Sequence, residues 1–343
     1  MSLSDFIRAI PKADPFVYLL GALHPKTVTL IAEQNKIAAG LKRYDQWIAE
    51  LNSPDPAKSE ELMNMIGTWI RLPEDVTRAV YDLGVNLSKD NVQYAEVYLD
   101  PTVFVGNGMS ADVLVAALED GRDRVERAWN VKLRWIFTIH RDRPRTGDDV
   151  ARWATSLASR SGIVGLALVG NEKIQPVGQF KRAFQIAHKN NMPRAAMMGT
   201  ELGKAGYDEG YEELEPGRLL LPWKLDDEYI QALQESKMDV ILSASHATSN
   251  GHVPSSQEYV TQRLYDENIP LALASVAPMI YGSSLSDLLI DLETSSELGI
   301  DEIEEIALNG LRLSFLGETE KQSMIESFKA SYAELKPLLE GES

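Results

Sequence analysis

The chain contains no cysteine, which excludes disulfides and thiolate metal sites. Histidine is scarce as well, with five in 343 residues, and no His-x-His or His-x-x-x-His pair occurs. No apolar run approaches the roughly 18 residues of a membrane span, so no membrane partner is expected. Basic residues are the minority, 34 against 51 acidic ones, for a formal net charge of −17. That balance argues against nucleic-acid binding, which needs a basic patch. The opening segment, Met1-Ser2-Leu3-Ser4-Asp5-Phe6, lacks the basic and apolar parts of a signal peptide, so a cytoplasmic location is expected. Neither a Gly-x-Gly-x-x-Gly fingerprint nor a phosphate loop is present, so no nucleotide cofactor is expected.

What remains is an ordinary globular composition, 44% hydrophobic and 25% charged. The length suits one large α/β barrel or two smaller domains. Short β-like runs alternate with longer helical patterns, which predicts βα repeats around a parallel sheet. Eight strand candidates stand out, at residues 16–20, 93–99, 132–140, 163–169, 194–198, 218–221, 239–243 and 270–275. Several are continuous apolar runs, as expected of strands buried on both faces. Eight strands with intervening helices predict a TIM-type (β/α)8 barrel, whose site lies at the C-terminal strand ends. The connection from Leu23 to Asp90 is too long for one helix. It carries Leu62, Met63, Met65, Ile66, Trp69 and Ile70 at helical spacing, a stripe that ordinarily packs onto a core. Pro54 and Pro56 break the segment into separate helices. Residues 283–296, 301–311 and 321–335 read as closing helices.

The stretch Pro11-Lys12-Ala13-Asp14-Pro15-Phe16-Val17-Tyr18-Leu19-Leu20-Gly21 resembles the first strand of the adenosine deaminase family, in the amidohydrolase superfamily. That strand reads Pro-Lys-x-Glu-Leu-His-x-His-Leu-Asp-Gly, and its two histidines bind a catalytic zinc. Tyr94-Ala95-Glu96-Val97-Tyr98-Leu99-Asp100-Pro101 is similar to the family's second strand. Val164-Gly165-Leu166-Ala167-Leu168-Val169-Gly170-Asn171-Glu172 is similar to its Val-Gly-x-Asp-Leu-Ala-Gly-x-Glu. The likeness continues through Tyr281-Gly282-Ser283-Ser284 and Asn309-Gly310-Leu311-Arg312. It implies a single domain over 1–343, with residues 24–90 as a helical lid insertion.

Followed position by position, the resemblance implies that the chemistry has changed. The two zinc histidines of the first strand align with Phe16 and Tyr18, and the aspartate after them with Leu20. The family's Thr-x-His-Ala-Gly-Glu aligns with Ala196-Met197-Met198-Gly199-Thr200-Glu201, so the third zinc histidine becomes Met198 while the catalytic glutamate survives as Glu201. The histidine that polarises the attacking water aligns with Leu221. The family's Asn-Thr-Asp-Asp-Pro aligns with Ala274-Ser275-Val276-Ala277-Pro278, placing Val276 at the zinc aspartate. Phe and Val offer no metal-binding atom and Tyr rarely binds one, so no metal is expected.

The expected pocket is therefore a small-molecule site lined by Phe16, Tyr18, Gly170, Met198, Leu221, Ser275 and Val276. Glu201 is its candidate proton-transfer group, with Arg141 or Lys224 as a possible ion-pair partner. His140, His246 and Lys224 lie at predicted strand ends and are further catalytic candidates. Asp100, Asn171, Glu172, Trp223 and Ser245 share that rim. The lost ligands argue against an ordinary zinc adenosine deaminase, which leaves two readings open. One is a metal-independent hydrolase or lyase acting on a nitrogenous or nucleoside-like molecule. The other is a catalytically inactive protein that binds a ligand or partner.

Overall fold

The structure, a computed structural model, describes residues 1–255 and 260–339. The rest of the expected 1–343 domain lies outside the described residues. Eight strands form one parallel sheet in the order β1 to β8. They are β1 (Lys12–Tyr18), β2 (Val92–Leu99), β3 (Lys132–His140), β4 (Ile163–Val169), β5 (Arg194–Ala196), β6 (Arg218–Leu220), β7 (Asp239–Leu242) and β8 (Leu271–Leu273). The sheet closes through a single bridge between Val17 and Val276. The expected TIM-type barrel is the fold observed. No helix among the described residues is long and apolar enough to cross a membrane.

Strands β3 and β4 coincide with the apolar runs that predicted them, because burial and ladder pairing end together there. The last four strands stop short of their predicted ends. Apolar burial continues past them, but Leu221 (φ 53°) and Val276 (φ 60°) take the left-handed backbone conformation, which interrupts the extended run. A β-branched residue rarely adopts that conformation, so Val276 is held there by its surroundings. Its N–H donates to Phe16 O at 3.0 Å, and its carbonyl accepts from Tyr18 N at 2.7 Å. β1 starts four residues earlier than predicted, because its polar residues are buried with partners. The Lys12 ammonium donates to the carbonyls of Ile7, Arg8 and Ile10 at 3.0, 3.3 and 2.9 Å. It thereby caps the C-terminal end of helix α1 (Leu3–Ala9).

Four helices fill the long connection: α2 (Pro25–Gln34), α3 (Tyr44–Asn52), α4 (Ser59–Trp69) and α5 (Pro73–Lys89). Helix α5 lies against helix Ala111–Trp129, and the two approach through glycines. A Cβ on Gly121 would fall 2.6 Å from Val80 Cβ, and one on Gly84 would collide with Val125. α4 instead reaches the C-terminal ends of the strands.

At the opposite end, the barrel encloses an ion pair. Arg218 Nη1 and Glu96 Oε2 are 2.5 Å apart, and both side chains are fully buried. Glu96 also accepts from Tyr94 Oη at 3.1 Å and from the N–H of Phe315. Arg218 donates to Leu313 O and lies 3.6 Å over the Phe315 ring. Residues 313–315, just past helix Ile300–Arg312, thus fasten to β2 and β6 together.

Removing one partner of a buried pair strands the other charge. Glu96→Ala should lower the unfolding free energy by about 3–5 kcal/mol, read from urea denaturation. Replacing both residues with apolar side chains should cost less than either single change.

Asp14 gives a second prediction. Burial raises its pKa from 3.8 to about 7, although hydrogen bonds from Ser275 and Phe16 oppose the shift. Between pH 4 and pH 7, roughly, the folded chain keeps a proton that the unfolded chain has lost, so Asp14's contribution to stability falls as pH rises. Asp14→Asn cannot ionise. Its stability relative to wild type should therefore improve steadily across that window, measured by thermal unfolding at several pH values.

Candidate active site

The C-terminal ends of the strands open into a cavity of about 760 Å³. A larger groove, about 1090 Å³, lies between α5 and helix Ala111–Trp129 but includes no strand-end residue, so it is not the candidate.

β1 sends Tyr18 to the cavity, β3 sends His140, and Asp142 follows in the next turn. Gly170 comes just after β4 with φ 97°, a conformation that favours glycine. Thr200 and Glu201 come from the loop after β5, and Leu221 and Trp223 from the segment after β6. Helix Ala244–Ser249 supplies His246, and Asn250, His252 and Tyr281 complete the far side. Glu60, Met63 and Asn64 reach in from α4.

Other expected residues sit elsewhere. Phe16, Met198 and Val276 are fully buried and outside the lining. Ser275 is buried too, with its hydroxyl donating to Asp14 at 2.5 Å. Lys224 is exposed and does not line the cavity. Arg141 is buried and turned away, donating to Gln175 O and Met197 O at 3.1 and 2.8 Å.

Glu201 sits on a loop organised by another carboxylate. Glu172 accepts from the N–H groups of Gly199, Glu201 and Leu202 at 2.6, 2.8 and 3.0 Å. This fixes the backbone that carries Glu201. The Glu201 carboxylate, 20% exposed, pairs with Lys173 Nζ at 2.9 Å. The ion-pair partner is thus neither Arg141 nor Lys224.

The ring groups on the far side are packed together. Trp223 stacks on His252 with centroids 4.6 Å apart, and the His246 ring lies 5.6 Å from Tyr281 and 6.0 Å from His252. Burial, with His252 beside it, pushes the His246 pKa down to about 3, so its imidazole is neutral at working pH. Burial likewise holds the Tyr18 phenol well above its ordinary pKa, leaving a hydroxyl able to donate.

Sequence reasoning missed the contribution of α4. Glu60 Oε1 lies 3.5 Å from His140 Nδ1. Glu60, His140 and Asp142 each offer one atom within 4.8 Å of the others. Arg143 ties the same region together, reaching Asp100 at 2.9 Å and Asn64 Oδ1 at 3.1 Å. Glu60 and Asn64 flank the apolar stripe of α4, and nothing in that pattern separates them from a solvated helix face.

Comparison with known proteins places this geometry. Residues 11–331 match the family model described as Adenosine deaminase. An adenosine deaminase from Enterococcus faecalis is 24% identical, over 95% of this chain and 98% of its own length. An adenine deaminase from Acinetobacter baylyi is 21% identical, over 95% of this chain and 98% of its own. Among solved structures, an amidohydrolase from Burkholderia ambifaria with bound Zn superposes with a TM-score of 0.87 at 18% identity, covering 98% of this chain and 95% of that one. The adenine deaminase of Arthrobacter aurescens gives a TM-score of 0.84 at 19% identity, covering 94% and 99%. The structures speak for the barrel, and the family match runs along nearly all of it: the chain belongs to the adenosine deaminase family.

Proposed function

We propose that this barrel acts on a small nitrogenous or nucleoside-like molecule without the zinc centre of its family, using Glu201 as its proton-transfer group. The observation that carries the reading is the donor set. At the four positions where the resemblance puts zinc ligands, the chain has Phe16, Tyr18, Met198 and Val276. Zinc takes imidazole, thiolate or carboxylate ligands. Here the only groups on offer are one phenol and one thioether. The Phe16 ring lies 4.0 Å from the Tyr98 ring and 4.9 Å from the Tyr18 ring, so aromatic carbon packs where coordination would be needed. These residues do not fit a zinc ion.

The roles left to this chain are those of positioned acid and base. Glu201, held on its loop by Glu172, takes a proton from one ligand or water atom and returns it to another, in a hydrolysis, elimination or tautomerisation. For that, its carboxylate exchanges Lys173 for the ligand. Tyr18 offers a hydroxyl, and neutral His246 offers an imidazole with one N–H donor and one acceptor nitrogen. The 24–90 insertion acts as the lid, with Glu60 and Asn64 facing the ligand. Names of relatives span adenine and adenosine deaminases, which fits a nitrogenous ligand class.

A second reading, a ligand-binding protein without turnover, is favoured by one observation. Glu201 is already neutralised by Lys173 at 2.9 Å. Such a protein returns its ligand unchanged after long incubation, whereas an enzyme alters it.

Elemental analysis of the purified protein should find no stoichiometric zinc, and chelators should leave its melting temperature unchanged, since no zinc-binding energy is linked to folding. One tightly held zinc per chain would refute the metal-free reading. Once a turned-over substrate is in hand, Glu201→Gln should lower turnover by roughly 100-fold or more with binding intact, the size expected of general acid–base catalysis. A Gln variant with full activity would make Glu201 structural.

A further inference from the structure

The cavity has a marked chemical asymmetry. Four carboxylates line it, Glu60, Glu61, Asp142 and Glu201, against one ammonium, Lys58. Of the cations just behind the lining, Lys173 leans on Glu201, and Arg143 Nε lies 3.4 Å from Asp142. Arg143 is shared with Asp100 at 2.9 Å, and Lys58 with Asp55 at 3.6 Å. Six carboxylates therefore face three cations. The imidazole of His246 adds no positive charge.

The negative side is also compact. One carboxylate oxygen each of Glu60 and Asp142 and one ring nitrogen of His140 lie within 4.8 Å of one another. His140 Nδ1 is buried and faces Glu60 Oε1 at 3.5 Å, and an N–H on that side helps hold the Glu60 carboxyl below its ordinary pKa. Such a set matches a fork of N–H donors, since forked cations bond carboxylates through parallel N–H groups. The remaining lining is rich in flat surfaces, with Tyr18, Trp223, His252 and Tyr281. Aromatic faces attract cations and planar groups alike.

We propose that the cavity takes a small planar organic cation, an amidinium or guanidinium, with its N–H edge on the Glu60 and Asp142 carboxylates and its face toward the ring-bearing lining. The proposal rests on reading this cavity as the substrate site and adds the class of substrate. A divalent metal on the same two carboxylates and His140 is the competing occupant. It is disfavoured because the Arg143 guanidinium beside Asp142 repels a double charge twice as strongly as a single one, and because Glu60, 48% exposed on a helix outside the barrel, is a poorly fixed ligand for the strict geometry of a metal.

The test is calorimetric titration of the full chain with benzamidine, its neutral isostere benzamide, AMP, and zinc or manganese chloride alone. Benzamidine should bind at least roughly 10-fold tighter than benzamide, the size of one charge-assisted hydrogen bond. AMP should bind weakest. Raising the salt from about 0.05 to 0.5 M should weaken benzamidine and leave benzamide unchanged. Glu60→Gln with Asp142→Asn should erase the preference for benzamidine, in a variant whose melting curve shows it folded. Equal affinity for benzamidine and benzamide, tighter binding of AMP, or a one-to-one metal lost in His140→Ala and not displaced by benzamidine would each overturn the proposal. The wild-type panel decides even if the variant fails to fold. Tight benzamidine binding in a chain that turns over no cationic compound would sink the catalytic reading and leave this one standing. Glu201-dependent turnover of a neutral compound, without benzamidine preference, would do the reverse.

Discussion

The ion pair between Glu96 and Arg218 is the constraint on which the rest of the barrel hangs. Two opposite charges with no exposed surface must satisfy each other and every remaining polar atom nearby. Apart from Arg218 Nε, which is buried without a hydrogen-bond partner, they do so by drawing in Tyr94, Tyr98 and the backbone of residues 313–315. That pulls together β2, β6 and the segment after helix Ile300–Arg312, which are far apart in sequence. The pair therefore sets the spacing of opposite sides of the barrel from below. The cavity above inherits that spacing, and with it the placement of His140, Glu201 and Trp223 around one mouth.

A second constraint acts nearer the chemistry. Glu172 holds the loop after β5 by three backbone N–H groups. A carboxylate placed among amide donors is a common way to stabilise a turn and the start of the helix that follows. Here it also decides where Glu201 points. The two glutamates divide the work, one fixing geometry and the other remaining reachable from the cavity. Each belongs to a stretch that resembles the family, and sequence spacing gave no hint that they meet.

Much of the fold was legible in the sequence, and for a definable reason. Strands such as 132–140 and 163–169 are buried on both faces, so apolar character and ladder pairing coincide. Where the backbone turns left-handed, at Leu221 and just past Ser275, the runs read longer than the strands. β1 read too short because Lys12 and Asp14 look like loop residues, although each is buried with its own set of partners. Of the candidate site, Tyr18, His140, Gly170, Glu201, Leu221 and His246 reach the cavity. Glu60, Asn64 and Asp142 were not foreseen. Their placement depends on how α4 leans across the strand ends and how the turn after β3 folds, which no periodicity encodes.

The barrel is also uneven in stiffness. Strands β1 to β4 run for 7, 8, 9 and 7 residues, whereas β5 to β8 run for 3, 3, 4 and 3. Longer ladders tie their strand ends with more backbone hydrogen bonds, and regions with fewer such bonds open at lower free energy. Tyr18, His140 and Asp142 stand at the ends of the well-tied half. Trp223, His246 and His252 stand on the lightly tied half. The cavity is thus built like a vice, with one fixed jaw and one that yields, and a ligand seated on the fixed side can draw the other toward it without disturbing the barrel beneath.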